Sequence, residues 1–165
     1  MGFESDRLIK NRLPNVRIIE NQNYLETNEV EQLRLVLNNI TNRRLLIINN
    51  DSLFNFETFK SLDQGFSTTL FYTPQSPSKD DIGVRDNQGY AAIFSYHVDT
   101  KWAGITCLEG KELDRLATFC YNTSNRRLFL WEGLNFLISK NSLRTKEIQQ
   151  GKCGRIKTEA DLHLV

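Results

Sequence analysis

The order of apolar and polar positions divides this chain into short helical and strand-like segments. The clearest helix is predicted over 27–40, TNEVEQLRLVLNNI, and it follows a possible short strand, VRIIE, at 16–20. Asn28 and Glu31 form a start that resembles a capping box. Four apolar residues recur at helical spacing on one face: Val30, Leu33, Leu37 and Ile40.

Strands are predicted where aliphatic, β-branched and aromatic residues are dense. These segments are 43–50 (RRLLIINN), 66–73 (FSTTLFYT), 90–98 (YAAIFSYHV), 115–121 (RLATFCY) and 126–132 (RRLFLWE). The last two are separated by a short polar stretch and are predicted to form a hairpin.

The remaining segments are predicted as helices and loops. Asp51 or Ser52 can cap a helix over 51–65 that Gly65 ends. Segment 99–110 fits a strand or a helix. We favour a helix, because Trp102, Ile105 and Leu108 are three residues apart and Gly110 stands at the stop position. A long polar loop is predicted over 74–89, and a closing helix or pair of helices follows 132.

From 43 to 121 the predicted order is strand, helix, strand, strand, helix, strand. This βαββαβ order predicts an α+β, ferredoxin-like fold with four antiparallel strands and two helices on one face. We expect three parts: an N-terminal extension with the amphipathic helix over 1–42, the ferredoxin-like domain over 43–121, and a C-terminal extension over 122–165 that packs on or beside the sheet.

Two short motifs make the central domain resemble the RNA recognition motif. The family signature on the third strand is K/R-G-F/Y-G/A-F-V-x-F/Y, and the chain has QGYAAIFS at 88–95. LLIINN at 45–50 is similar to the family's six-residue motif on the first strand. The chain departs from the family where Leu46 and Ala92 replace aromatic residues. It keeps four positions of the longer signature: Gly89, Tyr90, Ala91 and Ile93.

The resemblance implies that one open sheet face stacks the bases of single-stranded RNA. Because side chains alternate along a strand, that face would carry Leu46, Ile48, Tyr90, Phe94 and Tyr96. A patch this apolar is unsuited to water, so either residues 128–138 or a partner protein is expected to cover it. The lost aromatics favour a degenerate, protein-binding version as the alternative function.

Charge gives limited support to nucleic-acid binding, because the net charge of the 165 residues is only +1. The expected phosphate contacts are basic residues at the start of the first predicted strand and in the C-terminal region. They are Arg43, Arg44, Lys140, Arg144, Lys146, Lys152, Arg155 and Lys157.

No catalytic motif in the chain is specific. The chain has three cysteines without metal-ligand spacing and two histidines, so we expect no metal and no cofactor. A metal-dependent nuclease is a remote alternative, built on Glu109 and Lys111 with Asp86 or Asp99. Without a signal peptide or a long apolar run, an intracellular location, nuclear or cytoplasmic, is expected. We therefore predict a non-enzymatic module that binds single-stranded RNA or a protein partner.

Overall fold

The computed structural model describes residues 14–41, 43–62, 65–74, 79–139, 143–149 and 153–156. Its α-helices are α1 (Glu29–Leu37), α2 (Gly110–Tyr121) and α3 (Leu130–Ile138). Its strands are β1 (Arg44–Ile48), β2 (Ser52–Phe54), β3 (Thr68–Tyr72), β4 (Gly83–Asn87), β5 (Tyr90–Ser95), β6 (Lys101–Glu109), β7 (Arg144–Glu147) and β8 (Cys153–Arg155). Short 3₁₀ helices span Phe56–Ser61 and Thr123–Asn125. None of the helices described combines the length and the apolar character needed to cross a membrane.

Six of these strands form one mixed sheet in the order β1-β6-β3-β7-β5-β4, and β2 pairs with β8 separately. Neighbouring strands are antiparallel except β3 and β7, which run parallel. A ferredoxin-like domain has four antiparallel strands, so the predicted fold class is wrong. The physical reason is that β7, from the C-terminal part of the chain, lies inside the sheet between β3 and β5. The division at 42 and 122 stays a prediction.

The sheet is covered by apolar residues on both faces. On one face, side chains of the three helices pack against residues such as Phe71, Phe94 and Trp102. On the other face, Leu70 and Ile105 pack with residues that include Cys153 of β8. The two central strands β3 and β6 are therefore buried on both sides.

Strand β6 corrects the prediction of a helix over 99–110. Every residue from Trp102 to Leu108 is buried. A strand buried on both faces reads as a continuous apolar run without alternation, and the spacing of three was a coincidence within that run. Gly110, with φ of +55°, begins α2 instead of ending a helix.

Three other predicted elements have a different type in the structure. RLATFCY lies in α2, where Leu113, Leu116 and Cys120 are buried at helical spacing. The predicted strand 126–132 contains the start of α3. The predicted helix over 51–65 is replaced by β2 and a 3₁₀ helix, whose start is capped by Asn55 Oδ1 accepting from Thr58 N at 3.2 Å.

The stretch NQGY, which suggested the RNA-binding signature, is the turn of the β4–β5 hairpin. Gln88 and Gly89 have φ of +54° and +85°, and Asn87 pairs with Tyr90 across the two-residue loop. A two-residue hairpin turn whose twist matches that of its strands needs a positive φ at both loop residues. Glycine adopts a positive φ without strain. The glycine and tyrosine therefore reflect turn geometry.

A bulge in the same hairpin changes which side chains of β5 face the core. Arg85 pairs with Ile93 and Asp86 with Ala91, so Ala92 is an extra residue. Ala91 and Phe94 are both buried, although strict alternation would place them on opposite faces. Tyr90 and Phe94 consequently do not share a surface.

Candidate functional site

Two adjoining clefts lie at the carboxyl end of β1, where open α/β sheets commonly bind ligands. The large cleft has a volume of about 560 Å³, and the small cleft has about 200 Å³. Glu29 and Asn49 line both clefts. The other residues of the large cleft are Asn28, Gln32, Leu33, Val36, Ile47, Ile48, Asn50 and Leu130. Those of the small cleft are Asp80, Asp81, Ile82, Tyr96, Lys101, Trp102, Phe129 and Trp131.

The large cleft is lined by apolar side chains and by several amide side chains. The chain leaves β1 in a tight turn, in which Asn49 N donates to Gly104 O at 2.8 Å and Ser52 N donates to Asn49 O at 3.0 Å. Asn49 and Asn50 are held at the strand end by this turn. Opposite them, Asn28 caps α1 and Gln32 follows one turn later.

Helix α1 is anchored by a buried carboxylate. Glu31 accepts hydrogen bonds from Nε and Nη2 of Arg34, each at 2.7 Å, and it lies 3.5 Å from Nε of Arg126. The hydrogen bond from Arg34 lowers the pKa of Glu31. Asn28 N also donates to the carbonyl of Arg126 at 2.8 Å, so the start of α1 is fixed beside the segment that leads into α3.

Glu29 connects the two clefts. Its Oε2 accepts a hydrogen bond from Leu130 N at 2.8 Å, at the first turn of α3. A carboxylate is favourable there, because the first amides of a helix have no partner within the helix. The contact brings Phe129 and Trp131 to the border of the small cleft.

Aromatic rings form much of the small cleft. Tyr96 and Phe129 are 46% and 44% exposed, and Trp131 is half-buried. The rings of Tyr96 and Trp131 are nearly perpendicular, at 75°, with their centroids 6.0 Å apart. Trp102 lies deeper, because its Nε1 donates to Thr69 Oγ1 in the core at 3.0 Å. The cleft therefore has three rings that solvent can reach, beside one that belongs to the core.

The small cleft also has an excess of negative charge. Lys101 Nζ lies 2.8 Å from Asp81 Oδ2, and these side chains are only 15% and 12% exposed. The two remaining charged residues, Glu29 and Asp80, are acidic. The described lining thus carries three carboxylates and one ammonium group, an excess of two negative charges.

A separate metal centre is not formed in the described part of the chain, where no three His, Cys, Asp or Glu side chains lie close enough to hold an ion. A Mg²⁺ ion, however, usually keeps several waters and takes only one or two protein carboxylates. Glu29 and Asp51 provide carboxylates at this end of β1. The carbonyl of Asp51 accepts from Ile156 N at 2.7 Å, which holds it beside the β2–β8 pair.

The residues predicted to stack RNA bases are not brought together. Leu46 and Ile48 lie on β1, whereas Tyr90 and Phe94 lie on β5, with β6, β3 and β7 between the two strands. Phe94 is fully buried and packs edge-to-face on Trp102. Of the five, Ile48 lines the large cleft and Tyr96 lines the small cleft.

The predicted basic contacts are dispersed. Arg44 Nε donates to Cys107 Sγ at 3.2 Å and lies 3.3 Å from Glu109 Oε2, and these contacts raise the pKa of Arg44. The guanidinium of Arg144 lies 3.4 Å from the ring centroid of Phe66. Arg43 is exposed beside β1, and Lys146 is half-buried on β7. Lys140, Lys152, Lys157 and the side chain of Arg155 lie outside what the structure describes.

The nuclease residues are also dispersed. Glu109 ends β6, and Lys111 is on α2. Asp86 is on β4, and three strands separate β4 from β6 in the sheet. Its carboxylate accepts hydrogen bonds from Gly89 N and from Thr145 Oγ1. Asp99 precedes β6, at the opposite end of that strand from Glu109. No single site contains these four groups.

Comparison with known proteins identifies the fold. No family model and no curated protein matches the sequence. The CTP:phosphocholine cytidylyltransferase from Streptococcus pneumoniae matches with a TM-score of 0.73 and 14% identity, over 96% of this chain and 70% of that chain. The inositol-1-phosphate CTP transferase from T. maritima matches with a TM-score of 0.68 and 12% identity, over 86% and 60% of the two chains. A putative glucose-1-phosphate thymidylyltransferase from Bacillus anthracis gives 0.63 and 14%, over 84% and 59%. This chain thus spans between 59% and 70% of the length of these neighbours.

The chain has the fold of these nucleotidyltransferases, and its resemblance to the RNA recognition motif is wrong. Three functional predictions are wrong for the same reason: RNA binding, the protein-binding alternative and the nuclease alternative. Each depended on the ferredoxin-like order of elements or on motifs within that order. The prediction that the protein is not an enzyme is overturned by the same finding, since these neighbours are transferases.

Proposed function

We propose that this chain is the part of a nucleotidyltransferase that binds a phosphorylated small-molecule acceptor. The observation that carries the proposal is the pair of clefts at the carboxyl end of β1, joined through Glu29 and Asn49, in a chain with this fold. The neighbours named for phosphocholine, inositol 1-phosphate and glucose 1-phosphate support an acceptor of this general class.

In the proposed reaction, a phosphate oxygen of the acceptor attacks the α-phosphorus of a nucleoside triphosphate. A new phosphorus–oxygen bond forms, the bond from the α-phosphorus to the β-phosphate oxygen breaks, and pyrophosphate leaves. Such a transfer needs mainly positioning and charge stabilisation from the protein. The large cleft would supply positioning, through amide groups that can donate to phosphate and hydroxyl oxygens.

Charge favours the acceptor over the triphosphate as the ligand of the described clefts. Lys101 is the single cation among their described lining residues, and it already contacts Asp81. A triphosphate carries about four negative charges and is usually cradled by backbone amides, cations and Mg²⁺. An acceptor with one phosphate needs less positive charge, and the amides of Gln32 and Asn50 suit it.

Titration calorimetry on the full chain tests the proposal. The ligands are phosphocholine, inositol 1-phosphate and glucose 1-phosphate, with CTP and a single-stranded RNA for comparison. We expect at least one acceptor to bind. Gln32→Ala and Asn50→Ala should each weaken it roughly 10-fold or more, because each removes a hydrogen bond to a charged group. Asn39→Ala is the matched control, an exposed amide outside both clefts.

The proposal fails if no phosphorylated acceptor binds. It also fails if binding is equally strong in the Gln32 and Asn50 variants, because the ligand would then occupy another surface. Circular dichroism of the variants shows that a loss of binding is not a loss of fold.

A further inference from the structure

We propose that the open edge of β1 pairs with β1 of a second copy of this chain, and that each copy thereby brings an arginine to the large cleft of the other. The pairing stands apart from the proposed function, whereas the role of the arginine rests on it. Three observations lead to the proposal: the apolar open edge, its fit to a second copy of itself, and the lack of a cation in the large cleft.

Strand β1 has one open edge in the described sheet. It stands at one end of the strand order, with β6 as its neighbour on the inner side. Just after β1, Asn49 N donates to Gly104 O at 2.8 Å, so the backbone of Asn49 is directed toward β6. Because this direction alternates along an antiparallel ladder, the backbone groups of Leu46 and Ile48 are directed away from β6, to the open edge.

The side chains of β1 suit pairing with another strand. Leu46 and Ile48 are 40% and 37% exposed. The strand at the other end of the sheet, β4, differs, because its exposed residues include Arg85 and Asp86. Charged residues protect an edge strand against pairing, whereas an exposed apolar edge favours it. Of the two ends of the sheet, β1 is therefore the one suited to a further strand.

A second copy fits this edge because β1 is complementary to itself. Two copies related by a two-fold axis at Leu46 run antiparallel, and Arg44 of one copy then lies opposite Ile48 of the other. The residues paired in this way all direct their backbone groups to the open edge, so the hydrogen bonds of the two strands match. The two Leu46 side chains meet at the axis and cover each other.

The same register brings Arg43 to the large cleft. Arg43 continues the ladder to β6, because its carbonyl accepts from Gly110 N at 3.0 Å. The two-fold axis places Arg43 of one copy opposite Asn49 of the other, and Asn49 lines the cleft. Opposite side chains lie on the same face of a sheet. That face carries Ile47, which packs toward the helices and also lines the cleft.

The large cleft gains from this arginine. Among its described lining residues, Glu29 alone is charged, and that residue is an acid. A phosphate group in the cleft would otherwise meet amide groups without a cation. Arginine binds phosphate through two parallel hydrogen bonds that are assisted by charge. The second copy thus supplies the charge that one copy does not place there.

Analytical ultracentrifugation of the full chain over a range of protein concentrations tests the pairing. We expect the unchanged protein to reach twice the mass of one chain. Leu46→Lys places two ammonium groups against each other at the axis, so this variant should remain a monomer. Ile93→Lys is the matched control, because Ile93 is also an exposed apolar strand residue, at 42%, but lies on β5. It should dimerise like the unchanged protein.

A disulfide tests the register. Opposite residues that share hydrogen bonds in an antiparallel pair have Cα atoms about 5.5 Å apart, and a disulfide needs about 4.4–6.8 Å. Leu46→Cys should therefore form a covalent dimer on mild oxidation. The three native cysteines are buried, so the background should be low. Ile93→Cys, the control, should stay largely uncrosslinked.

Complementation between two variants tests the role of the arginine. Arg43→Gln should weaken binding of the phosphorylated acceptor roughly 10-fold or more, as Gln32→Ala does, without changing the mass. In an equal mixture of the two variants, a mixed dimer has one cleft with both Gln32 and Arg43 intact. About a quarter of all clefts should therefore regain full affinity, provided that the arginine comes from the other copy.

The outcomes separate this inference from the proposed function. A monomer at every concentration, a dimer that Leu46→Lys leaves intact, or no excess of the Leu46→Cys disulfide over its control overturns the pairing. A mixture that regains no affinity overturns the role of Arg43. If no phosphorylated acceptor binds to the unchanged protein, the proposed function fails and the role of Arg43 fails with it, while mass and disulfide formation still decide the pairing.

Discussion

Replacing Asn135 with leucine should uncouple helix α3 from strand β5. Asn135 Oδ1 accepts from Phe94 N at 2.8 Å, and Asn135 Nδ2 donates to Phe94 O at 2.9 Å. Among the described residues, β7 pairs with β5 at Tyr90, and Ala91 N donates to Leu143 O just before β7. Farther along β5, the amide of Asn135 bonds the backbone of Phe94 as a strand partner would. Leucine has a similar size and can make neither hydrogen bond.

The expected cost follows from these two hydrogen bonds. Each contributes about 1 kcal/mol net, and a backbone group left without a partner in a partly buried site costs a further amount, up to about 1–3 kcal/mol. We therefore expect Asn135→Leu to lower the free energy of unfolding by about 2–4 kcal/mol. In a chain of this size, that corresponds to a fall in melting temperature of roughly 5–15 °C.

Urea unfolding followed by circular dichroism measures the change, with Asn39→Leu as the matched control. Asn39 also makes side-chain hydrogen bonds, accepting from Arg17 Nη2 at 2.7 Å and donating to Leu35 O at 2.8 Å, but it is exposed. Water can replace those bonds, so its loss should cost less than about 0.5 kcal/mol. Equal effects of the two substitutions would refute the reasoning that Asn135 acts as a surrogate strand partner.

Three further substitutions test other parts of the structure. Gly83→Ala should lower the free energy of unfolding in urea by at least about 2 kcal/mol, because its Cβ would meet the carbonyl of Thr100. Gly89→Ala has open space for the Cβ, so it should cost about 1 kcal/mol, from its positive φ alone. The reverse order would contradict the packing described at β4. The hydrogen bond from Arg34 lowers the pKa of Glu31 below its ordinary 4.5. The ionised Glu31 therefore contributes stability above pH 4.5, and this contribution is lost as the pH falls through the lowered pKa. Between pH 7 and pH 3, the free energy of unfolding of Glu31→Gln should therefore fall less than that of the unchanged protein. An equal fall in both proteins would contradict a stabilising pair between Glu31 and Arg34.

The sequence predicted some elements well and others poorly, for reasons that can be traced to burial. Helix α1 has one apolar face and a polar face, so its period was visible. Strand β6 is buried on both faces and offered no alternation, which allowed Trp102, Ile105 and Leu108 to be read as a helical stripe. Because this central strand was predicted as a helix, it supplied the second helix of the expected βαββαβ order, and this led directly to the wrong fold class.

The candidate site was missed because its residues are far apart in the sequence. Asn28 and Glu29 are at the start of α1, Asn49 and Asn50 follow β1, and Trp131 comes about eighty residues later. One local signal was present, since Asn49-Asn50-Asp51 directly after an apolar strand is typical of a ligand site at the carboxyl end of that strand. The rings of Tyr96 and Trp131 could be paired only once α3 was placed against β5.

The position of β7 has a consequence for how the chain acquires its structure. The β4–β5 hairpin enters the sheet through β7, and β7 begins at Arg144. Until the ribosome has delivered that strand, the sheet consists of two separate pieces with open edges at β3 and β5. Open edges invite pairing with other chains, and contacts between distant segments form slowly. The late addition of one four-residue strand therefore joins the two pieces of the sheet and covers the open edges of β3 and β5.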